Sequence, residues 1–151
     1  MAVNLRDWLD GMKVNLQLTE RSQDDALREA SELLRDHPAM IDINNFRSDL
    51  IARERLSSTA SGSGLAFPHA RSDAVNDIVI AAARSQEGVL FEGQGEPVHL
   101  LFVMGTPKDR IPDHLACVAS LARALRQKEL RQKLLSAETV EEFIANLQAA
   151  F

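Results

Sequence analysis

Two uninterrupted apolar runs limit what this chain can become. Residues 77–84 read DIVIAAAR and residues 97–105 read PVHLLFVMG. Neither alternates apolar with polar side chains, so neither suits a sheet with one wet face. Runs of this length without alternation predict strands covered on both sides. A sheet buried on both faces needs helices to cover it, and the rest of the chain supplies them. Residues 19–38 carry Leu27, Ala30, Leu33 and Leu34 on one stripe, open with a Ser22/Asp25 capping pattern and stop at Pro38. Residues 41–56 turn Phe46, Leu50 and Ile51 inward behind Asp42 as cap. Asp113 is placed to cap a helix beginning His114-Leu115, with Leu115, Val118, Leu121, Ala122 and Leu125 on its buried face. KELRQKLL is a further helical segment, and the closing SAETVEEFIANLQAAF aligns Val140, Phe143, Ile144 and Leu147.

The amino-terminal end adds two short elements. Asn4 is placed to cap a helical turn with Leu5, Trp8 and Leu9 on one face, ended by Gly11. Val14, Leu16 and Leu18 then alternate with polar residues as in a half-buried strand. RSQEGVLFEGQGEP, between the two apolar runs, holds three glycines and a proline and reads as turns with room for an edge strand. Helices interspersed with buried strands predict an α/β layered domain. Strand order is not contained in that pattern.

The 151 residues fit one domain with one core, and no linker or low-complexity boundary divides them. The formal net charge of −5 argues against nucleic acid, which calls for a basic stripe, and against general attraction to an anionic membrane. A single cysteine, Cys117, allows no intrachain disulfide and points to a reducing cytoplasm. MAVNLRDWLDGMK carries early charges and no long apolar core, so it does not read as a secretory signal. No apolar run approaches the roughly 20 residues of a membrane helix, so no membrane insertion is expected.

Four histidines are candidates for chemistry. His37 precedes a proline at a helix end and reads as a solvated residue favoured by the helix dipole. His99, inside an apolar run, reads as a satisfied core or edge histidine. His69 follows the loop Ser57–Gly64 and the short run Leu65-Ala66-Phe67, with Pro68 fixing the backbone before it. Glycines and hydroxyls there would let a ligand approach the main chain, although a strand-end histidine with a turn behind it weighs equally. His114 falls in the first turn of its helix, where free N–H groups favour anions; alone, it reads more simply as a polar residue facing water.

Three chemistries are set aside. The histidine separations are wide and no His-Glu-x-x-His or paired-cysteine spacing occurs, so no metal is expected. Cys117 has no oriented base beside it and reads as a small core residue. Gly62-Ser63-Gly64 lacks the Gly-Lys-Ser/Thr ending of a nucleotide phosphate loop and runs into a strand. A phosphoryl acceptor remains. Neutral imidazole is a competent nucleophile near pH 7, and phosphoryl transfer asks chiefly for alignment and for cationic or N–H donors. Arg53, Arg55, Ser58, Thr59 and His114 are candidates to supply them. Arg53 and Arg55 also read as solvated charges at a helix end, and Ser58 and Thr59 as plain loop residues.

Taken in order, Arg53-Glu54, Ser58-Thr59, Gly62, Gly64-Leu65-Ala66-Phe67-Pro68-His69, Val98-His99-Leu100-Leu101-Phe102 and His114-Leu115 form one extended pattern. It resembles the enzyme IIA domains of the fructose–mannitol type in the bacterial phosphotransferase system, a family that includes the nitrogen-regulatory IIA proteins. The resemblance implies a single IIA-like domain over residues 1–151, a mixed sheet flanked by helices. It implies that His69 accepts a phosphoryl group on Nε2 from the histidine-containing phosphocarrier protein. The group then passes to a IIB domain, for sugar transport, or stays as a regulatory signal to a target protein; a stand-alone chain leans to the nitrogen-regulatory type. His114 is implied as the second active-site histidine, Arg53 as the neighbouring arginine, Ser58 and Thr59 as supporting residues, and no cofactor is called for. The alternative is a regulatory binding module of the same fold that does not transfer.

Two departures stand out. Ala70 occupies the place where the family usually has glycine, and is expected to change how closely a partner's backbone approaches His69. Ala60-Ser61 stands where Gly-Ile is common. A partly apolar docking surface is also expected, with Phe67 or Ile111 contributing. The whole reading requires residues 69 and 114, 45 positions apart, to share one pocket.

Overall fold

The two apolar runs pair with each other. In the computed structural model, which describes residues 5–151, β5 (Val79–Val89) and β6 (Val98–Thr106) are antiparallel neighbours at the centre of a six-stranded sheet. Asn4, the expected cap of the first helix, lies outside the described residues. Val79, Ala81, Ala83, Leu101 and Val103 face a core layer covered by α2 (Gln23–Glu32) and α3 (Ile43–Leu56). Ile80, Ala82, Leu100, Phe102 and Met104 face the opposite layer, under α1 (Leu5–Leu9), α4 (Ile111–Ala124), α5 (Lys128–Ser136) and α6 (Val140–Gln148). Both faces are dry, which is why neither run alternates. A Leu or Phe buried in either layer contributes roughly 1.5–3 kcal/mol relative to exposure.

The sheet order is β1 (Lys13–Asn15), β5, β6, β3 (Leu65–Ala66), β2 (Ala60–Gly62), and β4 (His69–Arg71) also pairs with β6. β1 runs parallel to β5, β3 and β4 run parallel to β6, and β2 is antiparallel to β3. The sheet is therefore mixed and flanked by helices.

Gly105 sets how close α3 lies to the sheet. A Cβ added there would stand 2.5 Å from Cε1 of Phe46, a fully buried ring of α3. On the other face Arg84 closes the end of α5. Its Nη1 donates to the carbonyls of Leu134 and Ala137 at 2.9 and 2.7 Å, and its Nε donates to that of Leu16 at 3.3 Å. These carbonyls have no helical donor, and the guanidinium suits the negative end of the helix.

Several local expectations are corrected. β5 continues through Ser85-Gln86-Glu87-Gly88, which the glycines and polar residues had marked as turns. A register irregularity between Arg84 and Val89 breaks the alternation there, and Gly88, at φ 94°, accommodates it. β1 covers only Lys13–Asn15; Leu18 reaches the core from beyond it, its N–H donating to Arg84 O at 2.9 Å. α2 ends at Glu32, well before Pro38. His37 therefore lies in the following turn, where its Nδ1 accepts from Ala39 N–H at 3.0 Å and partial burial lowers its pKa; it is no helix-end cation. The Ser22 hydroxyl donates to Asp25 Oδ2 at 2.9 Å and does not bond the helix N–H groups, whereas the Asp42 carboxylate accepts from Asn44 and Asn45 N–H at 3.1 and 3.2 Å. α4 starts at Ile111, not at His114: Pro112 sits in its first turn, where a missing N–H goes unnoticed, and Asp113 pairs with Arg110 and does not cap.

Gly105→Ala should lower unfolding stability by about 1–3 kcal/mol, since the new methyl must displace Phe46 or the strand. Urea unfolding measures this, and an unchanged midpoint would mean that α3 does not depend on the missing side chain.

Candidate functional site

The site begins with a buried carboxylate. Glu54, near the end of α3, is 3% exposed and accepts from Thr59 N–H at 2.6 Å and from Thr59 Oγ1 at 2.5 Å. These bonds fold the chain back after the helix. The reversal between β2 and β3 follows, with Gly62, Ser63 and Gly64 all at positive φ (83°, 56° and 75°). Glycine meets that demand at no steric cost, so the Gly-rich stretch is a tight hairpin. Gly64 O accepts from His99 and Leu100 N–H at 2.8 and 3.0 Å, and locks the hairpin to β6.

Beyond β3 the chain stays beside β6. Phe67 N–H donates to Thr59 O at 3.2 Å, and Pro68, which has no N–H to give, offers its carbonyl to Met104 N–H at 2.9 Å. β4 then opens with His69 in register with Met104 and ends with Arg71 in register with Thr106. Strand alternation sends Ala70 into the core layer under α2 and α3 and puts His69 and Arg71 on the α4 side. Ala70 is thus 3% exposed, its methyl on the face away from His69, which corrects the expectation that it would change how closely a partner's backbone approaches that ring.

His69 is half-buried, with Nδ1 2.7 Å from Phe67 O. A carbonyl can only accept, so Nδ1 carries the proton and Nε2 keeps its lone pair. Burial lowers the pKa of this imidazole, the Phe67 carbonyl opposes the shift, and Arg53 and Arg71 add to it. The ring is neutral at pH 7.

His114, on α4, is 5% exposed. Its backbone N–H already donates to Arg110 O at 3.0 Å, so the free helix N–H expected at this position is not there. Its ring centroid lies 5.0 Å from that of His69, at 54° between planes. The two imidazoles share one pocket. His114 Nδ1 is in close contact with Thr106 Oγ1 at the end of β6. Burial, followed by His69, Arg71 and Arg53, pushes its pKa down to about 4. Both rings are gripped through Nδ1, and among the described residues no hydrogen bond engages either Nε2.

Arg53, half-buried, donates from Nη1 to Ser57 O at 2.9 Å and acts electrostatically on both rings. Arg55 turns away to pair with Asp24 of α2. The Ser58 hydroxyl accepts from Ala60 N–H at 3.1 Å, and Thr59 is held by Glu54, so both belong to the frame of the loop. Phe67 is 5% exposed and stacks on Phe102 with centroids 6.0 Å apart; it is core and cannot line a docking surface. Ile111 (44% exposed) and its neighbour Leu115 (63%) are the apolar residues presented beside the site. His99 Nδ1 donates to Ser85 O at 2.8 Å, and the Cys117 thiol is pushed up to about 11 by burial.

The sequence reading missed three contributors. Arg71 follows His69 by two residues, and strand period alone places it on the same face. Glu54 stood in the extended pattern beside Arg53 with no role given to its carboxylate, and Thr106 was visible only as the polar end of an apolar run. Among the described residues no cluster of three or more His, Cys, Asp or Glu is arranged to hold a metal, and no helix is long and apolar enough to cross a membrane.

The family profile described as "Phosphoenolpyruvate-dependent sugar phosphotransferase system, EIIA 2" matches residues 8–150. The fructose-specific EIIABC component of Bacillus subtilis is 30% identical over 132 residues, 87% of this chain and 21% of that protein. The nitrogen regulatory protein of Pseudomonas aeruginosa is 35% identical over 101 residues, 66% of each. The matched region thus spans less than two thirds of each of these relatives. The crystal structure of the nitrogen regulatory protein IIA-Ntr of Neisseria meningitidis superimposes with a TM-score of 0.84 at 30% identity, over 92% of this chain and 97% of that one.

The buried imidazole makes stability depend on pH. His114 titrates near 6.5 when unfolded and at about 4 when folded. Above pH 6.5 both states carry the neutral ring. Below it the unfolded chain binds a proton that the fold refuses, so stability falls as pH drops from 6.5 towards 4, by at most about 1.4 kcal/mol per unit. Urea unfolding between pH 7.5 and 5 should show this decline, and His114→Gln should make it shallower, the remainder coming from His69 and His37, whose pKa values burial also lowers. An identical slope in the variant would count against a neutral buried ring.

Proposed function

Because the chain belongs to the phosphoenolpyruvate-dependent sugar phosphotransferase system EIIA 2 family, we propose that it is a phosphoryl carrier with His69 as acceptor. The observation that carries this reading is the pairing of two imidazoles in one pocket, with the His69 Nδ1 proton held by a carbonyl and the Nε2 lone pair left over. The donor is the histidine-containing phosphocarrier protein. Nε2 of His69 attacks phosphorus as the P–N bond of the donor breaks, and the bonding pair returns to the donor's imidazole nitrogen. His69 then carries an N-phosphoryl imidazolium whose Nδ1–H still points at Phe67 O, an acceptor suited to the positive ring.

The arriving group brings roughly −1.5 to −2 charge, by analogy with other phosphorylated side chains. Arg53 and His114 are the residues that answer it, as a cation and as a hydrogen-bond donor to its oxygens. Ser58 and Thr59 act indirectly, by keeping the chain after α3 folded back. Ile111 and Leu115 form the apolar rim against which a partner excludes water. The acceptor downstream is a IIB domain or a regulatory target. A relative whose name joins A, B and C components supports the first, and similarity to nitrogen regulatory proteins supports the second. The regulatory use is the reading favoured here, in a reducing cytoplasm.

Incubation with phosphoenolpyruvate, enzyme I and the phosphocarrier protein should place one acid-labile phosphate on the chain. His69→Ala should abolish the label, and Arg53→Met and His114→Ala should each slow labelling on the order of 100-fold, as for loss of one preorganised charge-stabilising donor. A wild type that stays unlabelled while binding its partner would leave only a docking module.

A further inference from the structure

The proton on His114 raises a question that the carrier reading leaves open. A neutral imidazole has one N–H and one lone pair. If the lone pair of His114 sat on Nε2, it would oppose the oxygens of a phosphoryl group on His69. Resting on that carrier reading, we infer that the Thr106 hydroxyl is a positioning group which fixes the His114 proton on Nε2, so that this ring offers a donor to the phosphoryl group.

Thr106 closes β6 and is 2% exposed. Its backbone is committed to the sheet: it stands in register with Arg71, and its carbonyl accepts from Ser72 N–H at 2.8 Å. Its Oγ1 meets Nδ1 of His114, and among the described residues that hydroxyl has no other hydrogen-bond partner. Two arrangements satisfy this contact. In one, Nδ1–H donates to Oγ1 and the hydroxyl proton, buried, finds no acceptor. In the other, the hydroxyl donates to Nδ1 and every polar hydrogen is used, with the ring proton on Nε2. An orphaned buried donor is disfavoured, so the second arrangement prevails before any phosphate arrives.

The two imidazoles are therefore set to opposite polarity by the same device. Phe67 O can only accept, so it holds a proton on Nδ1 of His69 and bares the lone pair of Nε2. Thr106 donates, so it occupies Nδ1 of His114 and forces the proton to Nε2. Loss of the ring's charge through burial is consistent with this arrangement, since an imidazolium would leave the hydroxyl no lone pair on Nδ1.

Nitrogen-15 NMR of imidazole-labelled, unphosphorylated protein at pH 7.5 reads the tautomer directly. Wild type and Thr106→Ser should show His114 protonated on Nε2, and Thr106→Val should shift it towards a mixture. In the labelling reaction Thr106→Val should shorten the lifetime of phosphorylated His69 about tenfold, the equivalent of one hydrogen bond, and Thr106→Ser should restore it. A wild-type His114 protonated on Nδ1 overturns the inference, as does a Thr106→Val protein with unaltered tautomer and lifetime. If Thr106→Val does not fold, wild type and Thr106→Ser still decide the position of the proton. A wild type that takes no phosphate defeats the carrier reading and with it the donor's purpose, while the resting tautomer is still read independently.

Discussion

β6 is the strand on which everything else is hung. It is dry on both faces and hydrogen-bonded along both edges, with β5 on one side and β3 followed by β4 on the other. Because β3 and β4 run along one edge in succession, the Phe67-Pro68 step carries the chain forward without leaving the sheet, and His69 arrives opposite Met104. Because α4 begins five residues after β6 ends and lies over the same face, its first turns come down on β4. Residues far apart in sequence are brought together by one strand and the helix that follows it.

The electrostatics of the pocket follow from that placement. Burial disfavours charge on both rings, and two arginines nearby disfavour it further. The site holds neutral imidazoles beside cations, on a protein whose net charge is −5. An incoming anion meets Arg53 and Arg71, with Glu54 the carboxylate that acts on His69 in the opposite sense, and it meets that positive charge locally, not as a property of the whole surface.

Much of this was legible from residues alone. The unbroken runs at 77–84 and 97–105 announced a doubly covered sheet, and Asp42 announced the start of α3. The pocket shared by His69 and His114 was implied only by the family resemblance that the extended pattern from Arg53 to His114 carries. What stayed hidden has physical reasons. The irregularity after Arg84 destroys the alternation by which a strand is recognised, so the second half of β5 looked like turns. Pro112 tolerates the first turn of α4 and so concealed its true start. The orientation of Ala70 depends on which edge of β6 the strand joins, and no local signal carries that. Arg71 and Thr106 matter through register with each other across two strands, a relation that exists only after pairing.

The carboxylate of Glu54 has a consequence beyond turning the chain. It grips Thr59, the Thr59 carbonyl receives Phe67 N–H, and the Phe67 carbonyl receives the His69 proton. Three successive contacts thus join the last turn of α3 to the imidazole. The orientation of the His69 ring is governed from a helix to which it does not belong, and any partner that loosens that helix end reaches its Nε2 without touching it.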